Sequence, residues 1–266
     1  MSRVARTGAA IVILMCLVAL LADGIAPGDP FATSNAVLQP PSARHLFGSD
    51  DIGRDVFRAV VHASRASLLV AAATAVAAVA LGVIIGLSAG FAGGFADEML
   101  MRVTELFQVM PRFFLVLAAT AILGNGLGTL ILLLGFTSWT GIARATRSQV
   151  LSVRSSDHVV AARAAGASTV RIVRHHVLPV MLAPLVALAS FQASGAMLVE
   201  AGVSFLGLGD PSVITWGALL HDAHRVLRVA WWMALFPGAA LTLTILGIQL
   251  VGDGIVDLIT APTSDI

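Results

Sequence analysis

Long apolar runs alternate along this chain with short polar breaks rich in glycine or proline, and six of the runs approach membrane-crossing length. A helix needs about 20 mostly apolar residues to cross a bilayer. The first run, residues 9–26, follows Arg3 and Arg6 and closes on Asp23, Gly24, Pro27 and Gly28. The second, 67–91, is an almost unbroken series of Ala, Val, Leu and Gly that stops at Gly93-Gly94. The third, about 99–123, is interrupted by Pro111-Arg112, and the fourth, about 127–143, is entered through Gly124-Asn125-Gly126. The fifth, about 178–206, carries Pro179, Pro184 and Glu200; the sixth, about 231–259, opens on Trp231-Trp232. A polar insert with Pro40-Pro41 fills 27–64, and a strongly basic stretch fills 144–176. The pattern predicts an all-α polytopic membrane protein. A basic start before an apolar run also describes a secretory signal peptide, but five further runs and the length of this one favour a retained anchor.

Composition agrees. The apolar share is 58% and the charged share 12%, against about 45–50% and 25% for an ordinary soluble domain. The single cysteine, Cys16, lies in the first run and has no internal partner for a disulfide. All 16 basic residues are arginine. Without lysine, a G-x-x-x-x-G-K-[ST] phosphate loop, a lysine Schiff base and a Ser/Lys dyad are all excluded. If ATP drives this protein, another chain binds it together with its Mg, and no cofactor is expected on this one. A net charge of +1 gives no reason to expect a nucleic-acid partner.

Arginine placement predicts orientation, since loops facing the cytoplasm carry the excess. With the N-terminus inside, nine arginines (Arg3, Arg6, Arg102, Arg144, Arg147, Arg154, Arg163, Arg171 and Arg174) face the cytoplasm. Six (Arg44, Arg54, Arg58, Arg65, Arg225 and Arg228) face the other side, and Arg112 lies within the third run. Both termini are then cytoplasmic.

The segment 157–179 is the most informative. Its first half is alanine-rich with good helix propensity, and Asp157 suits a helix start. Gly166 is placed to end that helix, Ser168 to cap the next. The stretch from Val170 to Pro179 then leads into the fifth run. Two short helices around a glycine form a compact protrusion suited to docking in a partner's groove. A charged loop whose arginines only set topology accounts for the same residues.

Here Ala161-Ala162-Arg163-Ala164-Ala165-Gly166-Ala167-Ser168, followed by His176-Val177-Leu178-Pro179, resembles the "EAA" loop of binding-protein-dependent ABC import permeases. The stretch from His45 to Asp55 resembles the segment after the first span in the peptide/nickel branch of that family, and Arg65-Ala66-Ser67-Leu68-Leu69 continues it. Glu200 to Gly209 with Trp216-Gly217, then Pro237-Gly238, then Gly252 to Asp257, are similar to later blocks in the family's order. The likeness is greatest to the "C"-type dipeptide/oligopeptide subunit. It implies a type I importer fold, with one N-terminal helix (1–26), an extracytoplasmic loop (27–64), a five-helix core (65–260) and a tail (261–266). It implies a coupling loop (144–178) in which Ala161, Ala162, Arg163, Gly166 and Ala167 seat on an ATPase subunit, with Arg171, His176, Leu178 and Pro179 behind them. The implied partners are a second homologous permease chain, ABC ATPase subunits or a fused tandem ATPase, an extracytoplasmic substrate-binding protein and the bilayer. The implied cargo is dipeptides or short oligopeptides; a nickel complex, haem or glutathione are alternatives. The chain departs from the family pattern at Val160, where the loop glutamate is usual, and at Val180, where asparagine is usual.

Other polar positions stay open. Glu200 reads as a residue of the translocation pathway or as a packing carboxylate, because an intramembrane acid faces protein or water. Glu105 and Arg112, seven apart, either pair or mark frayed helix ends. Asp253 and Asp257 read as cytoplasmic packing positions, and Gly82 and Gly86 form a G-x-x-x-G pair suited to close helix contact. His221-Asp222-Ala223-His224 is a weak metal pattern. A self-contained secondary transporter using Glu200 or Asp253/Asp257 is the rival class; it has no use for a coupling helix, and the chain shows no two-fold internal repeat.

Overall fold

The structure, a computed structural model, describes residues 3–260. Their regular elements are helical, apart from one isolated bridge between Ser49 and Asp55. The expected 261–266 tail lies outside the described residues. In chain order the helices are α1 (Arg3–Leu20), α2 (Ala22–Ile25), α3 (Val56–Ala92), α4 (Gly94–Val109), α5 (Arg112–Leu123), α6 (Leu127–Ser138), α7 (Thr140–Arg154), α8 (Asp157–Ala164), α9 (Thr169–Ile172), α10 (Leu178–Val203), α11 (Trp216–His224) and α12 (Trp232–Thr260). Two π-helical turns, Val173–Val177 and Ser204–Leu208, flank α10.

Four described helical segments are long and apolar enough to cross a membrane: α3, α6 with α7, the run from α9 through α10, and α12. The pair α4 and α5 counts as a fifth if it is one broken span, bent by 83°. The apolar part of α1, Val4–Leu20, is shorter. The six expected runs are all helical, but two differ from expectation in extent. The second helix starts at Val56, inside the stretch read as polar insert, because the Asp55 side chain accepts from the Arg58 N–H at 3.0 Å and caps it there. The fourth continues through Arg154, so residues 144–154 are helix rather than loop. Their arginines are held laterally: Arg147 grips Asp97 at 2.5 and 2.7 Å, Arg144 reaches Gln108, and Arg154 donates to the Gly90 carbonyl. The third is broken at Pro111, where the sequence places its interruption, because the proline ring cannot continue a helix.

Helix α3 is the hub, packing on α7, α10, α6 and α1. Gly82, Gly86 and Gly90 lie four apart on one face, opposite Ile142, Thr146 and Val150 of α7. A Cβ at Gly86 would lie 2.5 Å from the Ala143 carbonyl, and one at Gly82 would lie 2.6 Å from Ile142 Cβ. The G-x-x-x-G pair seen in the sequence is therefore part of a longer glycine stripe that lets two helices touch backbone to side chain. Helix α1 packs on α12, and short α2 with Val18 rests on Val61 of α3. Leu17, Val76, Ile84, Ile122, Leu132 and Leu246 remain exposed, as expected of helices whose outer faces meet lipid.

Candidate coupling surface

The protrusion is built from α8 to the start of α10. Alanine-rich α8 begins with Asp157 in its first turn and ends with Arg163 in its last, both favourable to the helix dipole. It is closed by two bonds of a Schellman cap: the Ala167 N–H to the Ala162 carbonyl and the Gly166 N–H to the Arg163 carbonyl, each 3.0 Å. This closure requires the left-handed backbone of Gly166, φ +86°. Space around its α-carbon is open. A small side chain there would meet only backbone strain, and a large one would project outward. Ser168 then caps α9, its hydroxyl accepting from the Arg171 N–H at 3.3 Å.

Between α9 and α10 the helix widens into the π turn Val173–Val177. The Leu178 N–H bonds five residues back, to the Val173 carbonyl. Pro179 follows at the start of α10; it has no N–H, and its ring crowds the carbonyl four residues earlier, so a wider turn accommodates it. Val159, Ile172 and Val177 are buried and pack with Val150 and Val153 of α7 and Met181 of α10. The protrusion is therefore pinned on two helices by its apolar side, while its other side faces out.

Of the residues singled out in the sequence, Ala161, Arg163, Gly166, Arg171 and Pro179 are exposed, and Ala162, Ala167, His176 and Leu178 are half-buried. They follow one another along the chain from α8 to the start of α10. Val160 and Val180, the two departures from the family pattern, are 55% and 53% exposed, and Val170 is 76% exposed. The outward side of the protrusion is thus more apolar than the sequence pattern of a basic loop suggested. The His158 and His176 rings approach to 5.3 Å between centroids, tying the start of α8 to the π turn.

The opposite end of the bundle is polar and densely bonded. Asp50, buried, accepts from the Ile52 and Arg54 N–H groups and from the Arg54 guanidinium, which also donates to Asp222 at 2.6 Å. Burial acts to lower the Arg54 pKa, but the bonds and charges of Asp50 and Asp222 outweigh it and hold the pKa above its usual value. Trp216 donates to the Val60 carbonyl and Trp232 to the Ser49 carbonyl. Asp210 accepts from Ser212 and from the Leu127 N–H at the start of α6, which lowers its pKa. In the His221–His224 pattern, Asp222 is engaged by Arg54, and both rings bond to carbonyls, of Phe205 and His221.

Glu200 is 1% exposed and accepts from Ser204 at 2.7 Å. It lies where α10 meets the second π turn and α11, a geometry that suits packing better than an open path. Glu105 pairs with Arg102 instead of Arg112, which lies beyond the Pro111 break and bonds Gln192 of α10. Asp253 and Asp257 are exposed near the end of α12. Sequence reasoning missed the Asp50–Arg54–Asp222 network, since Arg54 and Asp222 stand 168 residues apart.

Residues 82–263 match the model of the family described as binding-protein-dependent transport system inner membrane component. The chain belongs to that family. It is a multi-pass permease of the ABC importer class. It is 42% identical over 261 residues to the dipeptide transport system permease protein DppC of Escherichia coli K12, an alignment covering 95% of this chain and 87% of that protein. It is 36% identical over 258 residues to the di/tripeptide transport system permease protein DppC of Pseudomonas aeruginosa, covering 94% and 85%. Among solved structures, the MetNI methionine ABC transporter in an inward-facing conformation superposes with a TM-score of 0.59 at 20% identity, over 77% of this chain and 96% of that one. This likeness fixes the fold as that of a type I importer permease.

Proposed function

We propose that this permease forms half of a translocation pathway for dipeptides and short oligopeptides, driven by ATPase subunits that dock on the 157–179 protrusion. The second half is a homologous permease chain, and an extracytoplasmic binding protein delivers cargo. ATP and Mg reside on the ATPase subunits, since this chain has no lysine for a phosphate loop. The Gly166 end and both termini are cytoplasmic, in keeping with the arginine distribution. The peptide relatives, aligned over nearly the whole chain, support the cargo.

The observation that carries the coupling role is the way α8 is held. Motion of a partner passes through a rigid element and is lost in a flexible one. Helix α8 is closed by a Schellman cap and pinned through Val159 to α7, and the π turn behind it leads straight into α10. At 1.5 Å per residue, the 26 residues of α10 make a rod of about 39 Å. It runs from the protrusion to the Trp216 end. A push on α8 is thereby delivered to the far side of the bundle.

The exposed valines indicate that the docking groove is partly apolar. Uptake of labelled di- and tetrapeptides in a strain with this subunit deleted, then restored, tests the cargo. Restoration of peptide uptake is expected; restored uptake of only a nickel complex, haem or glutathione contradicts it. Purification of the restored chain tests the machinery. It should bring down the ATPase subunits, whereas transport by the chain alone would establish a secondary carrier.

A further inference from the structure

Arg112 plays no part in the mechanism above, and its surroundings differ from those of Arg54 and Arg147, the other enclosed arginines considered above. It stands at the break between α4 and α5, facing the middle of α10. Its Nη1 donates to Gln192 Oε1 at 3.1 Å, and Gln192 passes the contact on, donating to the Ser138 carbonyl at 2.5 Å. The other edge of the guanidinium, Nε and Nη2, is shielded from solvent and has no partner among the described residues. Arg54 and Arg147, by contrast, each grip a carboxylate. Arg112 forms no ion pair with any described residue.

Three physical points give the missing partner its chemistry. A cation at the depth of a membrane span is costly unless an anion or water meets it. The Nε/Nη2 edge offers two parallel donors, the geometry that takes both oxygens of a carboxylate. Arg112 is also the first residue of α5, whose N-terminus has no side-chain cap, so the helix dipole adds positive potential at the same place. Broken spans bind anionic cargo groups in this way near the bilayer midplane. The break lies at the surface of the chain, where Met110 is 48% and Phe114 64% exposed. Opposite, Gly195 keeps α10 free of a side chain; even a Cβ there would stand 3.8 Å from Nη1.

We infer that the Nε/Nη2 edge of Arg112 receives the C-terminal carboxylate of the peptide during passage, when the break and α10 separate. The inference rests on the peptide-import reading. It makes the permease itself a reader of cargo, at one charged group in the middle of the path.

The test uses the whole transporter with its binding protein, reconstituted in liposomes. Dialanine and alanyl-alaninamide are supplied at concentrations that occupy the binding protein equally, and uptake is measured per loaded binding protein. Dialanine should enter at least ten-fold faster than the amide. Arg112→Gln should slow dialanine about ten-fold and erase the difference, while Arg112→Lys keeps part of both. Equal rates for the two peptides in the unmodified transporter would overturn the inference without use of any variant. So would full dialanine uptake by Arg112→Gln. Loss of the second permease chain from Arg112→Gln but not from Arg112→Lys would also overturn it, by placing the carboxylate on that chain. If the unmodified transporter moves neither peptide, it is the peptide-import reading that fails.

Discussion

The two ends of α10 are built on opposite plans. At the Trp216 end, buried tryptophans bond to backbone carbonyls, Arg54 bridges two carboxylates, and Glu200 is enclosed with Ser204. At the Gly166 end, the protrusion is held by a few buried valines and isoleucine, and its polar side chains reach outward. The first plan makes a self-sufficient structure; the second leaves an exposed surface, the one on which the proposed ATPase partner would seat. Substitutions at the Trp216 end should therefore cost the fold. Bulky ones on the outward side of the Gly166 end should cost assembly and spare the fold.

The largest effect is expected for Trp216→Ala. It empties the place of a fully buried indole and removes its bond to Val60, a change worth about 3–5 kcal/mol. Loss of helix content on heating in detergent should come at a clearly lower temperature. Asp50→Ala should follow, at about 3 kcal/mol, because it strips Arg54 of one buried carboxylate and leaves two backbone N–H groups unmet. Gly166→Ala should be smaller, about 1–2 kcal/mol of local strain from the left-handed backbone. It should leave ATPase subunits bound, as read by co-purification. If Gly166→Ala unfolded the protein as thoroughly as Trp216→Ala, the contrast between the two ends would collapse.

The smallest effect concerns pH. Ser212 and the Leu127 N–H stabilise the Asp210 carboxylate and depress its pKa in the folded chain. Such a group contributes stability in full above its ordinary pKa, about 3.9. That contribution is lost as pH falls through the lower folded value. Asp210→Asn should flatten this acid edge in melting curves below about pH 4 and leave stability near pH 7 little altered in its pH dependence.

The legible parts of the molecule were those set by local rules. The apolar runs, the break at Pro111, the Gly166 turn and the Ser168 cap all rest on neighbours within a few residues, and each stands where the pattern placed it. The extension of α3 to Val56 was hidden because Arg58, His62 and Arg65 make that turn look like loop. Tertiary partners explain them: His62 bonds the Ala26 carbonyl, and Arg65 bonds Asp23 and the Ala19 carbonyl. The basic stretch misled in the same way. Arg147 and Arg154 read as loop charge, yet Asp97 and the Gly90 carbonyl hold them against the bundle. Residues that depend on a partner far along the chain, such as Arg54 with Asp222 or Arg112 with Gln192, carry no local signal of it.

On the proposed reading, the Gly166 protrusion seats on the ATPase. Gly166→Trp probes this docking, because the position opens onto free space in this chain, so a large side chain there obstructs a partner more than it disturbs the bundle. The whole transporter carrying Gly166→Trp is purified and assayed for bound ATPase subunits and for ATP-driven peptide uptake. The expected result is a folded permease that melts close to Gly166→Ala but has lost its ATPase subunits or its uptake. Normal uptake by Gly166→Trp at normal expression would rule out docking at this turn.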